Sequence, residues 1–344
     1  MAYTTVNDSS ANFQIALYTG NSGTQSITND GNANLKPDLT WLKQRDGTGW
    51  PSLFDSSRGV EKQINSNVDN SQYTGVTGVT SFNTDGFTLG SHSNENLNTK
   101  PYVCWQWKAN GGTTASNSNG TITSTVQANT AAGFSIISYT GNGTNGATIG
   151  HGLSQTPQVF FPKCLSTAAN WEMYYFPTGG TKQYGYLNLG NAFGTWSHNA
   201  PSSTIISLSG SGDSNGNGRT MIGYAFHSVK GYSKIGTYTG NGNTDGSFVY
   251  TGFKPACVIF KKTNGTKDWY ILDNKRNPFN VMDKILHPNK SDAESTSTIF
   301  DFLSNGFKFR NGDNAWNGDG DTYFYMAFAQ NPLVATNDVI ALAR

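Results

Sequence analysis

Charge is scarce in this chain of 344 residues: Asp, Glu, Lys and Arg make up 13% of it, and the formal net charge is +1. Binding to nucleic acid needs a basic surface that displaces counterions from phosphates, and so little charge argues against it. An anionic membrane surface finds no partner here for the same reason. Cysteine is nearly absent. Cys104, Cys164 and Cys257 form no Cys-x-x-Cys or Cys/His cluster, so buried free thiols are expected and zinc is not. No run of about 20 apolar residues exists, so no helical membrane span is expected. Glutamate is limited to Glu61, Glu95, Glu172 and Glu294, none at a recurring position, which removes the paired carboxylates of glycoside hydrolysis. His92, His151, His198, His227 and His287 stand in no metal or catalytic spacing. No glycine-rich phosphate loop opens a helix, and Gly210-Ser211-Gly212 lies in a polar loop without one behind it. Neither an enzyme nor a cofactor is expected.

What the chain has in quantity is glycine, 40 residues, together with 13% aromatic residues. The first supplies turns and the second supplies core. One phrase occurs three times: Tyr18-Thr19-Gly20-Asn21, Tyr139-Thr140-Gly141-Asn142 and Tyr238-Thr239-Gly240-Asn241. Each is followed by a polar stretch, a proline and an apolar run closing on lysine. Those runs are 37–43, 157–163 and 255–261, ending in Lys43, Lys163 and Lys261. A repeat of this length indicates copies of one fold and shifts the expectation toward a binding or structural protein.

Within each copy the order is an opening strand, a short strand, the Pro…Lys strand, a tryptophan-bearing strand, a hairpin and an aromatic closing strand. Trp50, Trp171 and Trp269 are read as one recurring position. Asp85-Gly86 and Asn305-Gly306 are hairpin signals. The closing strands 102–107, 221–226 and 323–328 do not alternate apolar and polar strictly but form short apolar runs, as strands covered on both faces do. The fold expected is all-β: three tandem antiparallel β-sandwich domains, jelly-roll or concanavalin-like. Their bounds are 1–110, 133–230 and 231–344, the last with a C-terminal tail. A low-complexity linker over 111–132 joins the first two. The one helix candidate is Asn280–Leu286.

Candidate sites are few. Trp196 and Trp316 have no counterparts in the other copies and lie in or beside polar loops, where exposed rings stack on sugars; the competing reading packs them on their own domain. Asp313, Asp319 and Asp321 form the best calcium candidate, without EF-hand spacing. His151, in Gly150-His151-Gly152, reads first as a satisfied turn histidine.

Several of these segments together resemble a class of repetitive structural proteins of marine tailed phages, an uncharacterised-domain family. They are Tyr-Thr-Gly-Asn-Gly with Gly150-His151-Gly152-Leu153, the lead-in Gly231–Gly236, Tyr250–Pro255, Asp55-Ser56-Ser57-Arg58-Gly59 and Trp105–Gly112. The opening Met1–Asn7 and the segment Ser26–Asn32 look the same way. The resemblance implies a virion structural protein and supplies no catalytic residues. The expected role is a tail fibre or receptor-binding appendage. Capsid decoration and a lectin-like carbohydrate-binding module are the alternatives. The partners expected are two further copies in a homotrimer, other virion proteins and, in the lectin-like case, host surface glycans. Nucleic acid and membrane insertion are not expected. Met1–Val6 lacks the pattern of a secretory signal, so synthesis in a host cytoplasm and release by lysis are expected.

Overall fold

The computed structural model describes residues 4–332. The expected C-terminal tail, 333–344, lies outside them. Three stretches of chain, here units one to three, repeat one strand order. Unit one carries β1 (Phe13–Thr19), β2 (Gln25–Ile27), β3 (Leu39–Gln44), β4 (Ser52–Asp55), β5 (Lys62–Asn65), β6 (Tyr73–Thr74), β7 (Val79–Phe82), β8 (Phe87–Leu89) and β9 (Pro101–Trp107). Unit two carries β10 (Ala115–Asn117), β11 (Ser124–Asn129), β12 (Phe134–Thr140), β13 (Thr148–Gly150), β14 (Val159–Cys164), β15 (Glu172–Tyr175), β16 (Gln183–Tyr186), β17 (Gly194–Thr195), β18 (Ile205–Ser207) and β19 (Thr220–Phe226). Unit three carries β20 (Ser233–Thr239), β21 (Phe248–Tyr250), β22 (Phe253–Lys262), β23 (Trp269–Asp273), β24 (Met282–Ile285), β25 (Ser295–Leu303), β26 (Gly306–Phe309) and β27 (Thr322–Pro332).

All pairings between these strands are antiparallel, and each unit places its closing strand beside its opening strand. The main sheets therefore read β1-β9-β3-β4, β12-β19-β14-β15 and β20-β27-β22-β23, and a smaller sheet accompanies each: β2-β8-β7, β13-β18 and β21-β26-β25-β24. Unit one's main sheet continues through β5 and β6, and unit two's through β16 and β17.

The closing strands show how these sheets pack. Side chains alternate across a strand. Val103, Trp105 and Trp107 enter one cluster, whereas Tyr102 and Cys104 enter another with Val79, Phe87 and Leu89 of the small sheet. Units two and three divide in the same way. Ile222, Tyr224 and Phe226, and Phe324, Met326 and Phe328, join the cluster that holds Val103, Trp105 and Trp107. Their alternate residues fill separate clusters against the small sheets. Each main sheet is thus sandwiched between its own small sheet outside and the other two main sheets inside. That accounts for the apolar residues on both faces of the closing strands.

At the centre, Trp107, Phe226 and Phe328 occupy one register position. They pair respectively with Phe13 and Leu39, with Phe134 and Val159, and with Ser233 and Cys257. Their rings meet edge to face at centroid distances of 6.3, 5.5 and 6.0 Å. A pseudo-threefold axis runs through this triangle, and each edge adds about 0.5–1.5 kcal/mol beyond the area it buries. Beside it is an apolar cavity of about 30 Å³, lined by residues of all three units, Trp41, Trp171 and Met326 among them. It has room for a water, but its apolar lining offers none of the polar partners that a buried water requires.

Three readings of the sequence are corrected. The stretch over 111–132 is not a structureless linker. It forms β10 and β11, which extend unit two's main sheet from the edge of β12. Asp38 holds its entrance by accepting from the backbone N–H groups of Ala109 and Gly111. The helix candidate at Asn280–Leu286 is the strand β24. Seven residues are too few for a free-standing helix, and Met282 and Ile285 are buried in unit three's outer core. Trp50 does not share a position with Trp171 and Trp269. The pairing Leu39↔Asp55, against Val159↔Tyr175 and Cys257↔Asp273, puts Pro51 there. Trp50 is 39% exposed.

Candidate functional site

The repeated phrase is a clasp. Tyr18, Tyr139 and Tyr238 donate from their hydroxyls to the carbonyls of Glu95, Ser214 and Trp316 in the loop before each closing strand. Two residues on, Gly20, Gly141 and Gly240 lie so close to that loop that a Cβ would sit 2.2–2.4 Å from the carbonyl oxygens of Leu97, Gly216 and Gly318. The backbone N–H groups of Asn21, Asn142 and Asn241 donate to the amide oxygens of Asn96, Asn215 and Asn317 at 2.9, 2.9 and 3.1 Å. Tyr, Gly and Asn recur because this junction recurs.

The recurring lysines are interior as well. Lys43 Nζ donates to the carbonyls of Gln44, Gly47 and, in unit three, Ser291 at 2.8, 3.1 and 3.0 Å. Lys163 Nζ reaches Asp69 O of unit one at 2.9 Å and Ala169 O at 2.7 Å. Lys261 Nζ donates to Lys262 O at 2.5 Å and lies 5.8 Å from the ring centre of Phe193 in unit two. Burial pulls all three down to about 8, since carbonyls compensate only part of the lost hydration. The tryptophans follow the same circuit. Trp171 Nε1 donates to Asn65 O of unit one at 2.8 Å, and Trp269 Nε1 to Tyr186 O of unit two at 2.9 Å.

Buried acids complete the junctions. Asp55 pairs with Arg58 and accepts from Tyr224 of unit two at 2.7 Å. Asp273 pairs with Arg276 at 2.6 Å and accepts from Trp105 of unit one at 3.1 Å. Glu294 holds both Arg276 and, across the same junction, Arg45 of unit one, and these cations keep its carboxyl below the usual range against the cost of burial. In unit two the matching position is Tyr175, which packs on Phe324 of unit three at 4.9 Å, and Thr178 stands where the other units have the arginine.

The candidate ligand residues are not at the surface. Trp196 is 5% exposed and packs on Tyr174 with ring centres 4.0 Å apart. Trp316 is 7% exposed and meets Tyr270 edge on at 5.6 Å. Both belong to outer cores, so neither offers a face to a sugar: the loops fold back and use the rings as apolar filling. The acidic loop does not gather its carboxylates. Asp321 pairs with Lys262 at 2.6 Å, and Asp313 accepts from the Ala315 backbone within its own turn, while Asp319 is exposed. No group of three metal-ligating side chains exists among the described residues. His151 is buried, bonded to the Leu153 N–H and Ser202 O at 3.2 Å each, and burial lowers it to about 4. It is a neutral turn histidine. The three cysteines are buried and free.

One groove was not foreseen. It has a volume of about 780 Å³ and opens at the boundary of units two and three. The loop before β14 supplies Gln155 and Gln158, the loop after β15 supplies Phe176 to Gly180 and Lys182, the β19–β20 turn supplies His227 and Ser228, and β20 supplies Lys234. No carboxylate lines it. Only the loss of the Asp–Arg pair at Tyr175 and Thr178 marks this place in the sequence.

A model of the family described as "Domain of unknown function (DUF7483)" matches residues 8–332, and the chain belongs to that family. No curated protein and no solved structure matches the chain.

Proposed function

We propose that this protein is a non-catalytic structural component of the surface of a tailed-phage virion, a tail fibre or receptor-binding appendage, built from three tandem β-sandwich domains of jelly-roll or concanavalin-like type. The observation that carries this reading is the use made of the recurring residues. The tyrosines, asparagines, buried lysines and the paired tryptophans brace sheets and junctions, and they do not converge on a cleft. Side chains conserved between copies for bracing are what a load-carrying body needs, whereas catalysis needs converging groups aimed at one reacting atom.

The closed pseudo-threefold body favours the second reading, capsid decoration, because it matches a threefold position on a shell. Synthesis in the host cytoplasm and release with the particle by lysis belong to the same proposal, as do contacts with other virion proteins. The proposal includes a homotrimer of such rings, although the ring of three units needs no further copy to close. Cryo-electron microscopy of intact particles tests these roles together. Density for the ring at the tail tip supports an appendage, density on the shell supports decoration, and particles lacking the protein overturn both. Mass photometry of the purified protein decides between one ring and three.

A further inference from the structure

We propose that two copies of this chain associate through β21 of unit three, edge to edge and antiparallel about a twofold axis, so that their outer sheets become one. This inference does not depend on where the protein is mounted or on the threefold association proposed above.

The strand β21 reads Phe248-Val249-Tyr250 and lies at the end of its sheet. Val249 is 5% exposed and points into the outer core, while Phe248 and Tyr250 stand on the opposite face, 46% and 58% exposed. The backbone alternates as well. Ser247 O accepts from the Phe309 N–H at 3.1 Å, and the Thr251 N–H donates to Asn305 O at 3.0 Å, both on the β26 side. Val249, midway between them and opposite Phe307, faces β26 too. The N–H and C=O groups of Phe248 and Tyr250 therefore point to the open side. No backbone group among the described residues bonds to them there.

Unit two shows what this edge requires. By register Ile149↔Ile206 matches Val249↔Phe307, so Thr148 and Gly150 of β13 are the counterparts of Phe248 and Tyr250. There the chain's own residues 121–124 lie along the edge. Thr148 O accepts from the Ile122 N–H at 2.9 Å, the Thr148 N–H donates to Thr121 Oγ1 at 2.9 Å, and Gly150 O accepts from Ser124 Oγ at 2.7 Å. That cover comes from the segment ahead of β12. Unit three has no such segment, because only the turn 227–232 separates β19 from β20. An edge strand that must stay unpaired is commonly protected by charge. The other edge of this sheet, β24, has Asp283 and Lys284. β21 has no charge between Asp245 and Lys254.

A second copy is the occupant this strand specifies. About a twofold axis at Val249, Phe248 of one copy meets Tyr250 of the other, twice. Both members of each pair carry outward-pointing backbone groups, so each pair exchanges two hydrogen bonds. Their side chains share a face, which sets a phenylalanine against a tyrosine on either side of the axis. Antiparallel order also brings the Asp245 end of each strand to the Lys254 end of the other, unlike charge to unlike. The patch is complementary to itself, as a twofold contact must be.

The test is sedimentation velocity of the full chain from about 1 to 100 µM, since so short an edge is expected to give a dissociation constant in the micromolar range. Two copies per particle are expected at the upper end, or six where the threefold association also forms. Phe248→Lys with Tyr250→Lys changes two exposed positions. It is expected to keep the circular dichroism spectrum and to weaken pairing at least about tenfold, by setting lysines against each other across the axis. Leu17→Lys is the control: Leu17 is 41% exposed on β1, and the parent's copy number is expected to persist. Hydrogen exchange over residues 246–252 of the parent is expected to slow as concentration rises. One copy or three at every concentration, pairing that survives the double lysine change, or equal loss in Leu17→Lys overturns the proposal. Slow exchange of β21 where the chain is monomeric overturns it as well, because a strand other than the second copy's would then cover the edge.

Discussion

Trp105 donates its indole N–H to the carboxylate of Asp273 at 3.1 Å, and this bond joins the first unit to the third. Arg276, paired with the same carboxylate, lies 5.5 Å from the Trp105 ring centre. Asp55 and Tyr224 form the counterpart between units one and two. Trp269 on the Tyr186 carbonyl joins units two and three, so the three units are linked in a circle, and the Trp105–Asp273 contact is where the circle closes.

Trp105→Phe keeps most of the ring and removes the donor. The Asp273 carboxylate retains Arg276, so a loss of about 2–3 kcal/mol is expected. Asp273→Ala leaves the buried Arg276 with Glu294 as its one acid partner, and a loss of about 3 kcal/mol is expected, the low end of the cost of breaking a buried pair. Urea unfolding of the full chain measures both. Equal, sub-kilocalorie effects would show that the closing contact carries no stability.

The shared centre predicts that no unit folds natively alone. Residues 113–230, unit two with β10 and β11, cut from the chain would expose Ile136, Phe161, Ile222, Tyr224 and Phe226 together, a contiguous apolar face that aggregates or collapses without fixed packing. The expected outcome is poor amide dispersion by NMR and strong dye binding, with the intact chain unfolding in a single transition. A well-dispersed spectrum from the fragment would refute this.

The close approach at the Tyr-Thr-Gly-Asn phrase predicts that Gly141→Ala costs at least about 2 kcal/mol, because the new Cβ would sit 2.4 Å from Gly216 O. Gly23→Ala is the control. Its nearest contact would be 3.7 Å away, and an effect within about 0.5 kcal/mol is expected. Chemical denaturation of the two variants side by side gives the comparison.

The buried lysines predict a pH dependence. Each is pulled down to about 8 in the folded chain and returns to about 10.4 on unfolding. Between those values the unfolded chain binds more protons than the folded one, so each lysine makes stability rise with pH across that window. Lys163→Met removes one such contribution. The stability difference, parent minus variant, is expected to grow by on the order of 1–2 kcal/mol from pH 8 to pH 10. Urea midpoints at pH 7.5, 8.5 and 9.5 follow it, and a difference that stays constant would mean that Lys163 is not desolvated.

The all-β character was legible because period, turn chemistry and repetition agree. The closing strands, apolar on both faces, announced burial on both sides, and the structure assigns those faces to different cores. What covers the inner face was not legible. Trp107, Phe226 and Phe328 are more than 100 residues apart in sequence, and nothing local says that they meet. Trp50 misled because a tryptophan one residue before the equivalent position reads as an alignment, whereas strand register moves the side chain to solvent. Trp196 and Trp316 misled because polar neighbours suggest a surface, and composition cannot tell a loop that folds inward from one that projects. The segment 111–132 misled similarly. Its small polar residues look like a tether, but a sheet edge supplies the hydrogen bonds that such a sequence cannot supply to itself. The groove was invisible because its lining comes from loops apart in the chain, and only their spatial meeting forms it.

Because the three-part ring lies in one polypeptide, its parts are held at a fixed effective concentration and do not separate on dilution. A ring of three identical subunits must carry every amino-acid change in triplicate. Here a mutation alters one flank and leaves the other two as they were, so each flank is free to specialise. The place where Tyr175 and Thr178 replace an acid and an arginine is such a divergence, and the circle remained shut around it.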